Sequence, residues 1–157
     1  MDFKEEKNKH WIIFGFLLIF DLMLWGWILM PIRSDVSNYY FLNVGQGDAH
    51  LLVFRGGAKM LIDGGPGNAL SGELERVLPA RDRYIDLVLM THPQLDHIEG
   101  FVRVLRDYDV GVFLGTGRRG VIGAYQELME VIKRKNIPYV FLEEGDRIKY
   151  GDIAMDV

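Results

Sequence analysis

Between residues 91 and 97 the chain reads Thr-His-Pro-Gln-Leu-Asp-His, which brings His92, Gln94, Asp96 and His97 into one short stretch. Imidazole nitrogen and ionised carboxylate oxygen are the donors that hold zinc, manganese or iron, and three such groups this close can converge through a single turn. The stretch follows DLVLM (86–90), a continuous apolar run of the kind that forms a strand covered on both faces. Ligands at the C-terminal end of a strand, ahead of a helix, lie where open α/β sheets place their sites. Taken alone, the segment has a plainer reading as well, in which Asp96 caps a helix starting near Ile98 and the histidines are surface residues.

The elements around this segment have to hold it in place. From Tyr39 onward, the apolar runs YYFLNV, HLLVF and KMLI, separated by GQGD and GG, predict three strands joined by tight connections. Leu70, Leu74, Val77 and Leu78 share one helical face, which Pro79 terminates. Ile98, Phe101, Val102 and Leu105 predict a short helix directly after the ligand segment, followed by the strand VGVFL. A longer helix from about Val121 to Lys135 is expected to bury Val121, Ala124, Tyr125, Leu128 and Ile132, with Asn136 and Pro138 as stop signals. YVFLEE, RIKY and IAMDV read as closing strands. Strands first and then strand-helix alternation point to a layered α/β or α+β domain.

The front of the chain has a different character. Trp11 to Met30 is apolar apart from Gly15, Asp21 and Gly26. At about 1.5 Å per helical residue it covers roughly 30 Å, the hydrocarbon thickness of a bilayer. Trp11, Trp25 and Trp27 suit the two interfacial belts. A cleaved signal peptide fits less well, because the run is long and MPIRSDVS offers no small-x-small cleavage site. Lys4, Lys7 and Lys9 precede the span and Arg33 follows it, which puts the N-terminus in the cytoplasm and the body outside. The expected organisation is a tail over 1–10, an anchor over 11–30, a linker over 31–38 and a domain over 39–157. Asp21 sits mid-span, where a charge is costly, and carries no assigned role.

Composition sets outer bounds. The chain has 157 residues, 18 basic and 22 acidic side chains, a net charge of -4 and no cysteine. That length suits one modest domain. The missing cysteines exclude disulfide scaffolds, thiolate metal sites and thiol nucleophiles. From residue 32 onward there are 15 basic and 18 acidic residues, so no autonomous basic surface for nucleic acid is indicated.

Three ordered motifs, FLNVGQGDAHLLV, MLIDGGPGN and LVLMTHPQLDHIEGF, give the chain a family resemblance. Over roughly residues 39 to 157 it resembles the metallo-β-lactamase-fold domain of ComEC-type DNA-internalisation competence proteins. The resemblance implies an αββα sandwich, an α/β (α+β) fold with a metal site at the strand ends, built to activate water. Position by position it makes His92 a ligand of a first metal, and Asp96 and His97 ligands of a second, with Asp96 also the catalytic carboxylate. Asp63, ending the strand LID, and Asp48 of GQGD become outer carboxylates that orient the ligands. The implied cofactor is a divalent metal, zinc or manganese, as one ion or two. The implied substrate is DNA, the partners are the membrane and other components of a DNA-uptake system, and the location is the bacterial cytoplasmic membrane.

The chain departs from that pattern in named places. Gln94 stands where the fold has a second histidine, and its neutral amide oxygen suits magnesium or manganese better than zinc. Asn43 replaces a common aspartate. The later aspartate and histidine motifs are absent, so the sequence reads as the N-terminal part of a partial sandwich, a fragment or a truncated product. Two rival functions follow: a catalytically silent, membrane-tethered binding module, and a hydrolase of a substrate other than nucleic acid. His50 reads as a packing residue of its strand, His10 as an interfacial polar group, and Arg118 and Arg119 of GTGRRG as a solvated loop rather than a phosphate clamp.

Overall fold

A computed structural model of the chain describes residues 3–29, 35–121, 123–150 and 153–157, and the chain divides into two compact units, 1–33 and 34–157. The first unit is helix α1 (Phe3–Leu29). From Trp11 onward its apolar residues fall on every side rather than on one stripe. The stretch Lys9–Ile28 has a mean hydropathy of 2.0 and none of it is buried, so this helix is long and apolar enough to cross a membrane. It begins ahead of the expected anchor and carries the basic tail in the same helix. Residues 30–34 of the expected anchor end and linker lie outside the described residues.

The second unit is built on a six-stranded sheet. Strands β1 (Asn38–Phe41), β2 (His50–Val53) and β3 (Lys59–Ile62) form an antiparallel meander. Strands β4 (Tyr84–Met90), β5 (Asp109–Gly115) and β6 (Tyr139–Phe141) then continue parallel to β3, in the order β1-β2-β3-β4-β5-β6. Parallel neighbours require a crossover, and helices α2 (Ala69–Val77), α3 (Leu95–Asp107) and α4 (Gly123–Arg134) supply the three returns. Strands β7 (Arg147–Tyr150) and β8 (Ile153–Asp156) form a separate hairpin.

The helices cover one face of the sheet. Leu70, Leu74, Ile98, Phe101, Leu105 and Leu128 pack there against Leu51, Leu61, Ile85, Val88 and Phe113, all fully buried. Burying each such side chain contributes about 1.5–3 kcal/mol relative to exposure, so this layer fixes where α3 begins and ends. On the opposite face, Met60 and Leu114 pack with Leu52, Leu87 and Leu89, and the hairpin lays Ile148, Ile153 and Met155 over them. The strand DLVLM is thus covered on both faces, as its continuous apolar run predicts.

Three details differ from the sequence expectation. Strand β1 stops at Phe41, because the Val44 N–H turns back to the Leu42 carbonyl at 3.0 Å. Helix α3 starts at Leu95, so Asp96 lies inside its first turn and caps nothing. Helix α4 starts at Gly123, and Val121 is 92% exposed instead of buried. The preceding GTGRRG stretch, with Gly117 at φ +76°, holds residues 116–121 out of the helix.

Candidate metal centre

The parallel strands end at one edge, and their next residues make the site. Asp63 follows β3, Thr91 and His92 follow β4, and His97 sits in the first turns of α3. Asp63 has φ +55°, a left-handed conformation that costs a non-glycine residue on the order of 1 kcal/mol. Its N–H extends the parallel ladder to the Leu89 carbonyl at 2.9 Å, which keeps the residue in register while the chain turns away.

That turn aims the carboxylate at the ligand segment. Asp63 Oδ1 accepts the Thr91 N–H at 2.9 Å, and Oδ2 accepts the Thr91 hydroxyl at 2.6 Å. Oδ2 also lies 3.0 Å from His97 Nδ1, with both side chains buried. An ionised carboxylate only accepts, so His97 Nδ1 donates to Asp63, and in the neutral ring Nε2 then carries the lone pair. The Thr91 hydroxyl has one proton, and Asp63 receives it. His92 Nδ1, 2.9 Å from the same hydroxyl, then donates to it, and in the neutral ring the lone pair is on Nε2. The two rings lie with centroids 3.8 Å apart. One buried carboxylate, directly and through Thr91, therefore orients two imidazoles, as a metal-binding pair requires.

The DGG motif locks this geometry through the backbone. The Gly64 N–H donates to the His97 carbonyl at 2.6 Å, and the Gly100 N–H donates to the Gly65 carbonyl at 3.0 Å. A Cβ on Gly100 would overlap the Gly64 carbonyl oxygen, so only glycine lets α3 approach this closely. The GQGD loop docks in the same way. Gly47 has φ +145°, and a Cβ there would overlap the Asp96 carbonyl oxygen. Glu73 holds the other leg of that loop by accepting the Asn43 N–H at 3.0 Å. Hydrogen bonding from Arg76, helped by the Asn43 N–H, keeps the Glu73 carboxyl below the usual carboxylate range.

The residues expected at the site fall into three groups. Asp63, His92 and His97 converge, with one donor atom from each lying within 4.8 Å of the others, and could hold an ion. Asp63 also accepts from Thr91 and His97, the contacts expected of a carboxylate that orients ligands. Asp48 and Asp96 reach the outer side of His97, each with Oδ2 3.9 Å from Nε2. Gln94 places its amide 3.1 Å from His92 Nε2. His50 packs between Tyr39 and Phe41, and Arg118 and Arg119 are exposed on the loop after β5. The donor types, two imidazoles and the carboxylates beside them, fit a divalent cation.

Thr91 carries more of the site than its sequence context announced, since its hydroxyl joins Asp63 to His92 and its carbonyl accepts the Thr116 hydroxyl at 2.9 Å. Its position between the apolar strand and His92 was the available signal. Glu73 had none, because it lies on another element 30 residues from Asn43.

Residues 42–151 match the family model described as the metallo-beta-lactamase superfamily. No curated protein sequence matches the chain. Among solved structures, the chain is similar to MEM-A1, a subclass B3 metallo-beta-lactamase from a soil metagenome library. The two are 20% identical with a TM-score of 0.50, over 78% of this chain and 49% of that one. It is also similar to the Rm3 metallo-beta-lactamase, at 15% identity and a TM-score of 0.49, over 78% and 50% of the respective chains. The flavodiiron protein from Giardia intestinalis, 13% identical with a TM-score of 0.49, matches over 78% of this chain and 26% of its own. The chain thus spans about half the length of the two lactamases.

Proposed function

This chain belongs to the metallo-beta-lactamase superfamily, a family of metal-dependent hydrolases, and from that premise we propose that it serves a membrane-anchored hydrolase of phosphodiester bonds. The observation that carries the hydrolase reading is the Asp63 network, which holds His92 and His97 by their Nδ1 atoms and leaves the Nε2 atoms on the far side of both rings. When bound, a divalent ion, zinc or manganese, lowers the pKa of a water and polarises the phosphoryl oxygen. His97, Asp96 and His92 would hold that ion. Asp63 and Thr91 keep the imidazoles aligned, and the exposed Asp96 carboxylate would take the proton of the attacking water. The substrate class rests on the competence-type motifs around Asp48, Asp63 and His92, with DNA as substrate and a DNA-uptake assembly as setting. Helix α1 anchors the chain in the bacterial cytoplasmic membrane with its N-terminus inside.

The test is metal-dependent nuclease activity of the complete membrane-anchored protein, with His97→Ala as control. Loss of activity in the variant supports the reading, and equal activity in both proteins sinks it.

A second reading draws on Gln94. Its amide sits on the His92 nitrogen that an ion would use, so the domain could keep the fold as a silent, tethered binding module. Metal analysis after reconstitution separates the two. A protein free of zinc and manganese supports the module, and a stoichiometric ion supports the hydrolase.

A further inference from the structure

We infer that Arg118 and Arg119 bind a phosphate of the substrate strand next to the scissile one, so that the GTGRRG loop forms an anion-binding rim beside the metal centre; this rests on the phosphodiester reading above. As sequence, GTGRRG reads as a solvated loop. In the fold it is tied to the ligand segment at both ends. The Thr116 hydroxyl donates to the Thr91 carbonyl at 2.9 Å. At the other end Gly120 packs so closely that a Cβ there would meet Pro93 Cβ at 3.0 Å and the Tyr125 ring at 2.7 Å. Thr91 and Pro93 flank His92, so the two anchors straddle a residue of the metal centre. Arg118 lies midway between the anchors, which keeps its Cα within about 7 Å of the Cα of each.

The two guanidinium groups have no other task in the fold. Arg76, Arg83, Arg103, Arg106 and Arg147 each pair with a carboxylate. Arg118 and Arg119 are exposed and pair with none among the described residues. A nucleic-acid strand carries a charge at every phosphate, and only the one under attack reaches the metal centre. Its neighbours need cations supplied by the chain itself. Arginine suits them, because its planar fork donates two parallel N–H bonds to phosphate oxygens. Contacts of this kind set the register of a strand without reading its bases. A lipid headgroup offers a phosphate too, but the tether of this loop to the segment around His92 favours a substrate.

The test reads binding without turnover. With the full chain in neutral detergent and EDTA, the anisotropy of a fluorescein-labelled single-stranded oligonucleotide gives Kd over a range of salt. Arg118→Ala/Arg119→Ala should weaken binding at least about tenfold and lower the slope of log Kd against log salt by about 1.4, the loss of two phosphate contacts. Arg118→Lys/Arg119→Lys should keep the slope and recover only part of the affinity, since the charge remains and the fork is lost. Lys133→Ala/Arg134→Ala removes the same charge from exposed positions at the opposite end of α4, and should change neither reading. Unchanged Kd and slope in the alanine variant, or no binding by wild type, overturns the assignment. Arginine-dependent binding to phosphatidylglycerol vesicles without binding to the oligonucleotide overturns it as well. Hydrolysis with Mn2+ is scored apart. Cleavage by wild type together with unchanged binding in the alanine variant leaves the hydrolase standing without these arginines. Arginine-dependent binding without cleavage keeps the arginines and removes the hydrolase.

Discussion

Asp63 and His97 are 34 positions apart in the chain, and Asp63 Oδ2 lies 3.0 Å from His97 Nδ1 with both side chains buried. The contact forms because β3 and β4 pair in parallel register and α3 returns directly over them. Its consequence is chemical: Nδ1 donates to the buried carboxylate, and Nε2 is turned to the outer side, toward Asp48 and Asp96.

Thr91→Val keeps the shape of the side chain and removes the hydroxyl that joins Asp63 to His92. We expect metal affinity to fall about tenfold, with a loss of folding stability of about 1 kcal/mol. Isothermal titration with Zn2+ alongside thermal melting measures both, and an unchanged affinity would show that the hydroxyl does not orient His92.

Gln94→His replaces an amide that sits 3.1 Å from His92 Nε2 with an imidazole. Zinc affinity should rise by at least about tenfold, because imidazole is a far better zinc donor than a neutral amide. Competition against a chromophoric chelator reads the constant. No gain would mean that the N-terminal position of α3 points this residue away from the ion.

Gly100→Ala should destabilise the domain by about 1–3 kcal/mol, since the new methyl group overlaps the Gly64 carbonyl and the backbone must shift. Gly72→Ala, in α2 where a Cβ meets nothing within 4 Å, should instead stabilise by about 0.5–1 kcal/mol. Urea unfolding of the two variants gives opposite shifts in midpoint if the close approach of α3 to the DGG turn is real.

Burial pushes the hydroxyls of Tyr139 and Tyr108 above the ordinary tyrosine value of 10.0, and Tyr139 Oη is buried without a hydrogen-bond partner. A raised folded-state pKa means that the associated stability is intact below about pH 10 and is lost as pH rises through the folded value. Glu73 has the opposite sign. Its lowered pKa stabilises the Asn43 leg of the loop above pH 4.5 and ceases to do so as pH falls through the folded value. Tyr139→Phe removes an unpaired polar atom, so it should leave neutral-pH stability unchanged or higher and flatten the alkaline loss. Melting temperatures between pH 7 and 11 check this, and a steeper alkaline loss in the variant contradicts it.

The ligand segment was legible in the chain itself, because DLVLM announces a strand, and the position of His92, Asp96 and His97 just beyond it follows from local order. The apolar periodicities around Leu70, Phe101 and Leu128 gave the three helices for the same reason: 3.6-residue spacing is a property of neighbouring residues. Helix starts were less legible. The start of α3 at Leu95 turned Asp96 from an expected cap into an exposed first-turn carboxylate, since a helix boundary depends on what its first turn packs against.

What the sequence alone determined about this protein is the chemistry available and its order along the chain: an apolar N-terminal helix, an alternating α/β body, and imidazole and carboxylate groups after a buried strand. Which of those groups meet is a matter of the fold. Asp63, Thr91 and the two histidines form one network because parallel strands end at a common edge, and Asp48 reaches His97 because Gly47 lets a loop rest against α3. Donor types are written in single residues, whereas distances between residues 34 positions apart come from strand register and helix packing, which are properties of the folded chain.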